Sequence, residues 1–413
     1  NTSGKDPAMR TPPQETVEPV GPEREPEVMR VVGLDVHPTL FTVAEVVGRN
    51  AQEAKASWVV DRRPLDQLEQ VLRKRTQPGD TVVLEATGNA FAVAARVAQC
   101  ERRAVVLNSD SVSDLGRKYC GTDKEDALKL GRVWLTGLAK VVWQPDGRTA
   151  DYRHIFFAYQ NAVCDAVRAR NRIWAFLDAH CLKRPRTLRL DQPEALTALL
   201  RLRSWSEVEQ EILVELVSVY DAATTRRHTL ETRIAKIVTT DKTLLRLTRL
   251  TGVRHVVAFA LFAFIGDVHR FKTPKSLAAY FGLTPSVLES GQNRRLRSPG
   301  LSHTGRSDVR ALLVQGAQSV LRYGTGPLTK WGVQLKMRRG TNVAVIAVAR
   351  KMAVQVWYLL MGYVPDLLEV TETLRLKLHR IAAVIGLKNI QDLGYTSIKA
   401  FEDEKIALLT KTA

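Results

Sequence analysis

Six β-rich runs fall between Val28 and Gln144, and after Asp151 nearly everything reads as helix. That one-way switch constrains the fold most. The runs are VMRVVGLD (28–35), FTVAEVVG (41–48), ASWVVDR (56–62), TVVLEAT (81–87), AVVLNS (104–109) and KVVWQ (140–144). Helical stretches separate the later ones: PLDQLEQVLRKR (64–75), AFAVAARVAQCE (90–101) and a helix beginning near GTDKEDALKL (121–130). Three strands joined by tight turns, then β-α-β alternation, describe a mixed sheet with helices packed on it, compatible with an RNase H-like order. In such an order the first and fourth strands are neighbours.

Within this unit Asp35 ends one apolar strand and Glu85 closes another, where a buried, unpartnered charge carries a desolvation penalty. Asp123 and Asp126 follow three apart on a helix, so both carboxylates project from one face and repel. Singly, each has a structural explanation in a turn, an arginine partner or a solvated face. Together at strand ends they fit a shared cation, and hard oxygen ligands in an open site select Mg²⁺ or Mn²⁺. Two such ions roughly 4 Å apart stabilise the attacking and leaving oxygens of a phosphodiester. His37, two residues past Asp35, reads as a turn histidine rather than a ligand.

The chain carries 61 Lys+Arg against 43 Asp+Glu, a formal charge of +18, which points to a polyanionic partner, nucleic acid before membrane surface. The excess is concentrated: between Ser290 and Pro365 there are twelve Lys/Arg and one acid, Asp308, so a nucleic-acid face is expected there. Arg294, Arg295, Arg297, Arg306, Arg310, Arg338 and Arg339 are its candidate phosphate contacts. No apolar run is expected to reach the ~18 residues of a membrane span; the longest candidate, VVAFALFAFIG (256–266), reads as a core helix. Cys100, Cys120, Cys164 and Cys181 are scattered and read as buried free thiols. The segment to about Glu27, rich in Pro and Glu, is expected to be disordered.

In the helical part, Ile212, Leu216, Val219, Ala223, Leu230, Ile234 and Ile237 recur at coiled-coil spacing, with Arg226 on the seam where the register is expected to shift. Thr251 and Gly252 stand between two apolar runs, suiting a glycine-turned helix pair. The loop ESGQNRRLRSPGLSHTGRS (289–307) is dense in Gly, Ser and Arg. Its serines, Ser290, Ser298, Ser302 and Ser307, are equivalent by spacing alone, and a serine needs a base or metal to become a nucleophile.

GLDVHPTLFTVAEV, LEATGNA, NSDSVSD with GTDKEDALKLGRV, and IGDVHRFKTPKSLAAYFGLTPSVLESGQNRRLRSPGLSHTGRSDVRALL resemble the DEDD transposases of bacterial insertion sequences, the family numbered one hundred and ten, over about residues 28 to 363. The resemblance implies a RuvC-like N-terminal domain whose acids Asp35, Glu85, Asp123 and Asp126 bind magnesium, with Gly121 standing where the family usually has a lysine. It also implies a serine nucleophile in a transposase domain, here Ser290 of ESG. The organisation expected is a disordered segment 1–27, a RuvC-like domain 28–150, a helical or coiled-coil segment 151–243, a mostly helical transposase domain 244–365 and a helical tail 366–413.

The function implied is RNA-guided DNA recombination through a covalent phosphoserine. Its partners would be double-stranded target and donor DNA, a structured noncoding guide (bridge) RNA, and further copies of the chain in a tetramer, a dimer of dimers, in the bacterial cytoplasm at the nucleoid. Two other readings fit the residues: a RuvC-like metal-dependent Holliday-junction nuclease without a serine nucleophile, and a non-catalytic nucleic-acid-binding protein.

Overall fold

The computed structural model describes residues 28–115, 121–185, 188–285, 301, 305–364 and 368–411. The chain forms two compact units, divided between Gln144 and Pro145.

The first unit is a five-stranded sheet of β1 (Met29–Val36), β2 (Leu40–Gly48), β3 (Lys55–Pro64), β4 (Thr81–Glu85) and β5 (Arg103–Leu107). The strand order is β3-β2-β1-β4-β5. β1 to β3 form an antiparallel meander, and β4 and β5 run parallel to β1. The expected contact of first and fourth strands is therefore present, with Leu34 opposite Leu84.

Alternation divides the strand residues between two faces. Val32, Leu34, Val43, Leu84 and Val106 pack with α1 (Leu68–Arg75) and α2 (Ala90–Gln99), whereas Val31, Val46, Val83 and Val105 face α4 (Asp123–Leu135). A short α3 (Ser109–Leu115) precedes α4. The run at 140–144 is not a sixth strand. It makes one isolated antiparallel bridge, Val141 to Leu107, because Pro145, which has no amide hydrogen to donate, and the start of the next helix cut it short.

α4 lies unusually close to the sheet. A Cβ on Gly33 of β1 would stand 1.9 Å from the Ala127 carbonyl oxygen, and one on Gly131 would stand 2.7 Å from Val46. Two glycines facing each other thus let helix backbone rest on strand backbone.

The second unit is helical. α5 (Gly147–Ala179) and α7 (Glu207–Thr240) form a long antiparallel hairpin with α6 (Ala195–Leu200) in its connection. Arg148 pairs with Asp241 at one end and His180 with Glu209 at 2.9 Å at the other. α7 opens with a capping box between Ser206 and Glu209. The stripe that α7 buries in its first half is Leu213, Val217 and Thr224, one residue along from the expected seam; Ile212 and Val219 of that seam are exposed. Arg226 lies on the exposed side, 4.0 Å from Asp165.

α8 (Lys242–Leu247), α9 (His255–Ile265), α10 (Pro274–Tyr280), α11 (Ser307–Tyr323), α12 (Pro327–Arg339) and α13 (Thr341–Leu360) surround one core. Its centre is α9, which is apolar on every side and therefore buried on every side. Gly252 makes the expected turn before α9 with φ +80°, and its Cβ position is filled by Met352 and Val320. By length and composition α13 could cross a membrane, a match hidden in the sequence by Arg350 and Lys351; half of it is buried in this core.

The tail, α14 (Thr371–Ile385), α15 (Leu387–Asp392) and α16 (Ile398–Lys411), packs on Ala235 of α7 and Leu245 of α8. Lys377 fastens it, donating to the Thr248 and Leu250 carbonyls at 2.7 and 2.9 Å and pairing with Glu369 at 3.1 Å. Among the described cysteines only Cys100 is buried; Cys164 and Cys181 are exposed, contrary to the expectation for free thiols.

Two outcomes follow from this packing. Gly33→Ala should destabilise the sheet unit by about 3 kcal/mol in urea unfolding, the upper end of overpacking costs, because the atom in the way is helix backbone. His255, fully buried at the start of α9, bonds Glu231 through Nε2 at 3.2 Å, and burial holds its pKa below the ordinary 6.5. Just below 6.5 the unfolded chain takes up a proton that the folded chain refuses, so stability must fall as pH drops through that value. The thermal midpoint should decline from about pH 7 to about pH 5, and His255→Gln, which keeps a donor for Glu231, should flatten the decline.

Candidate metal centre and nucleic-acid interface

Because β1 and β4 are parallel and in register at Leu34 and Leu84, the next residues, Asp35 and Glu85, emerge side by side at one edge of the sheet. Both belong to the face that α4 covers, Asp35 two residues beyond Gly33 and Glu85 two beyond Val83. The contact that brings Ala127 onto Gly33 therefore places the first turn of α4 over these two acids.

That turn is started by Thr122, whose side chain accepts from the Glu125 amide at 3.3 Å, and it carries Asp123, Glu125 and Asp126. Acids are favoured here by the helix dipole, which accounts for their presence but not for their approach to Asp35. Gly121 stands beside Asp126, its Cβ position 3.6 Å from Oδ2.

Burial pushes the Asp35 carboxyl above its ordinary value, the charges of Asp126, Asp123 and Glu85 push the same way, and His37 alone pulls against them. Asp126, Asp123 and Glu85 all stand near enough to Asp35 to act on its charge, and Asp123 is the acid whose ligand atoms group with its own. His37 sits on top: its Nε2 is 3.5 Å from both Asp35 and Asp123, and ligand atoms of these three residues lie within 4.8 Å of one another. Its amide closes the β1–β2 turn onto Leu40, as expected of a turn histidine, and the Asn89 side chain holds its carbonyl at 3.2 Å. The ring's position over the acids was not legible in the sequence. Arg62, also unforeseen, reaches within 3.6 Å of Asp123.

The donor set suits a hard divalent cation. Carboxylates from two adjacent strand ends and one helix turn face one region, the Asp35 carboxyl is disfavoured as an anion first by burial and then by its like-charged neighbours, and a cation bound among them would offset that penalty.

In the second unit Ser290, Arg294, Arg295 and Arg297 lie outside the described residues, as do Ser298 and Ser302. Pro285 and Leu301, which flank the segment from 286 to 300, pair as a single antiparallel bridge. Gly305, at φ +87°, then passes where a Cβ would stand 2.5 Å from the Tyr280 carbonyl oxygen.

Arg306 turns inward: it pairs with Asp308 at 2.6 Å and lies 4.1 Å over the Phe264 ring. Arg310 is half-buried on α11 near the Gly282 carbonyl. Arg338 and Arg339 are exposed at the end of α12 beside Lys336 and the exposed Met337, unlike Arg306 and Arg310.

Comparison with known proteins finds a family match in the second unit. Residues 245–330 match the family described as Transposase IS116/IS110/IS902. The chain is 36% identical over 118 residues to the transposase for insertion sequence element IS1111A of Coxiella burnetii, covering 28% of this chain and 32% of that protein. It is 33% identical over 153 residues to a probable family 20 transposase of Pseudomonas aeruginosa, covering 36% and 45%. Against the transposase for insertion sequence element IS1328 of Yersinia enterocolitica it is 23% identical over 340 residues, covering 79% and 95%. The chain therefore spans less than half the length of the first two relatives and nearly all of the third.

Asp35→Asn tests the electrostatics of the acid cluster. It should raise the thermal midpoint by a few degrees at neutral pH in the presence of a chelator, since it removes the carboxylate held in the least favourable place. The same change should abolish any stabilisation by Mn²⁺, read in the same melting experiment. Residues 245–330 are thus similar to the transposase domain of the IS116/IS110/IS902 family, and the chain at large is similar to transposases of insertion sequences.

Proposed function

We propose that this chain is a transposase of a bacterial insertion sequence that cuts and rejoins DNA, with Asp35, Glu85, Asp123 and Asp126 holding Mg²⁺ in an RNase H-like, RuvC-like domain and Ser290 serving as nucleophile. The observation that carries the first half is the meeting of Asp35 and Glu85 at adjacent ends of parallel strands, beneath the acidic first turn of α4. The strand order β3-β2-β1-β4-β5, antiparallel then parallel, supports the RNase H-like assignment.

Bound at these carboxylates, magnesium would supply Lewis acidity and charge neutralisation at a phosphodiester. The chain's own part is to fix the four carboxylates before substrate arrives, so that little reorganisation accompanies reaction. At Ser290, Oγ bonds to phosphorus as the bond from phosphorus to the leaving sugar oxygen breaks. The Oγ proton departs to a base and a proton reaches the sugar oxygen. One phosphoester replaces another, so rejoining needs no external energy source.

The basic stretch after Ser290 and the charge of +18 support binding to DNA and to a structured guide RNA. Val208, Ile212 and Val219, exposed along one side of α7, support assembly into dimers and tetramers through the long hairpin.

A suicide DNA substrate tests the nucleophile. Wild type should form a covalent protein–DNA adduct in Mg²⁺ and none in chelator, and Ser290→Ala should lose adduct and strand transfer together. Cleavage by Ser290→Ala at the wild-type rate without adduct would instead establish a metal-dependent junction nuclease that uses water.

A further inference from the structure

β3 slips its register against β2 at two points, between Glu45 and Val46 and between Phe41 and Val43, and the second lies beside the acids. Phe41 pairs with Arg63 and Val43 with Val60, so Asp61 and Arg62 stand together opposite Thr42, a β-bulge. Arg62 has φ 45°, a left-handed conformation that a long L side chain holds only where its surroundings impose it.

Thr42, 1% exposed, imposes it. Its hydroxyl accepts from the Arg62 amide at 3.1 Å and donates to Asp61 Oδ1 at 3.2 Å. Asp61 Oδ2 in turn holds Lys124 at 3.3 Å, tying the bulge to the first turn of α4. The result aims the Arg62 guanidinium at the acid cluster, 3.6 Å from Asp123, while its side chain remains 66% exposed. An exposed ion pair alone is worth too little to hold a backbone in that conformation. The arrangement makes sense if the guanidinium must stand at the mouth of the cluster and still face solvent.

We propose that Arg62 is a phosphate-binding residue of this site, its guanidinium receiving the non-bridging oxygens of the nucleic-acid phosphodiester presented to Asp35, Glu85, Asp123 and Asp126. This rests on the reading of those acids as a metal site given above. Four carboxylates repel a phosphodiester, and a fixed guanidinium at their rim offers the planar pair of donors that phosphate oxygens accept best. Its contact with Asp123 is weak enough to yield once that carboxylate is shared with a divalent ion, leaving the guanidinium free to turn to substrate. Lys124, engaged by Asp61, braces the bulge.

The test uses the full chain, with duplex binding followed by fluorescence anisotropy in Ca²⁺ across a salt series and Mn²⁺ uptake followed by calorimetry without DNA. Arg62→Ala should weaken duplex binding about tenfold, as for one lost charge-assisted contact. Its salt slope should fall by about 0.9, and Mn²⁺ uptake should be unchanged or tighter. Arg62→Lys should lose less. Arg62→Gly should bind duplex as poorly as Arg62→Ala yet melt higher than wild type, because glycine accepts the left-handed backbone.

Wild-type duplex affinity and salt slope in both Arg62→Ala and Arg62→Gly would overturn the assignment and leave Arg62 a counter-ion of Asp123. Weakened Mn²⁺ uptake in Arg62→Ala would also overturn it, making Arg62 part of the frame that holds the acids. A wild type that takes up no Mn²⁺ sensitive to Asp35→Asn would sink the metal reading and this proposal with it; normal Mn²⁺ uptake with unaltered duplex binding sinks the Arg62 assignment alone.

Discussion

The approach of α4 to β1 at Gly33 is the contact on which the acid cluster depends. A helix normally stands off a sheet by the depth of two layers of side chains; here one layer is missing, and the helix carbonyl of Ala127 occupies the space a Cβ would need. Gly131, one turn later, repeats the device against Val46. The short stand-off explains the choice of acids. Asp35, Asp123 and Asp126 have short side chains because backbone already carries them to the point of convergence, and only Glu85, arriving from the neighbouring strand, has the longer one. Short side chains also have fewer rotamers to lose, so the cluster is set by main-chain geometry.

The second unit meets a different constraint. Its central helix, α9, is surrounded by protein, so the carbonyls at its C-terminal end cannot turn to bulk water. Arg153 from α5 takes the Ala263 carbonyl at 2.9 Å, and Arg270 takes those of Phe264 and Ile265 at 2.9 Å. Arg306 stacks on the Phe264 ring just beyond. Cations at a helix C-terminus oppose its dipole, and arginine can do this while packing flat against aromatic rings. Part of the basic excess is therefore structural, which separates Arg306 from Arg338 and Arg339 although all three stand in one basic stretch.

How far the sequence reveals this depends on the range of the interaction. Strand alternation and the isolation of Asp35 and Glu85 at strand ends are local patterns, and the sheet follows them. The seam on α7 was misplaced by one residue because its first half carries two adjacent apolar stripes: Leu213 and Val217 face α5, while Ile212 and Val219 keep the heptad spacing and stay exposed. Spacing cannot say which stripe is covered. The run at 140–144 has strand composition but no room to extend. The tail was opaque because its anchor, Lys377, binds carbonyls more than a hundred residues away. Arg62 was opaque for the same kind of reason: its direction is decided by Thr42 on the next strand.

A basic chain that gathers four acids sets two electrostatic effects against each other. The surrounding positive charge favours carboxylates as anions at long range, but that influence is screened over about 8 Å at physiological salt. At the cluster itself the short-range balance is unfavourable: burial and three like charges raise Asp35, opposed mainly by a histidine that is charged only when protonated. Attraction among the side chains cannot have assembled such a group, so the assembly must come from the sheet register, the Gly33 contact and the capped turn of α4, whose stability arises elsewhere in the unit. A site built in this way stays assembled whether or not a cation is present. Its unfavourable self-energy then appears as affinity for whatever cation neutralises it, and a divalent ion relieves more of it than either His37 or Arg62 can.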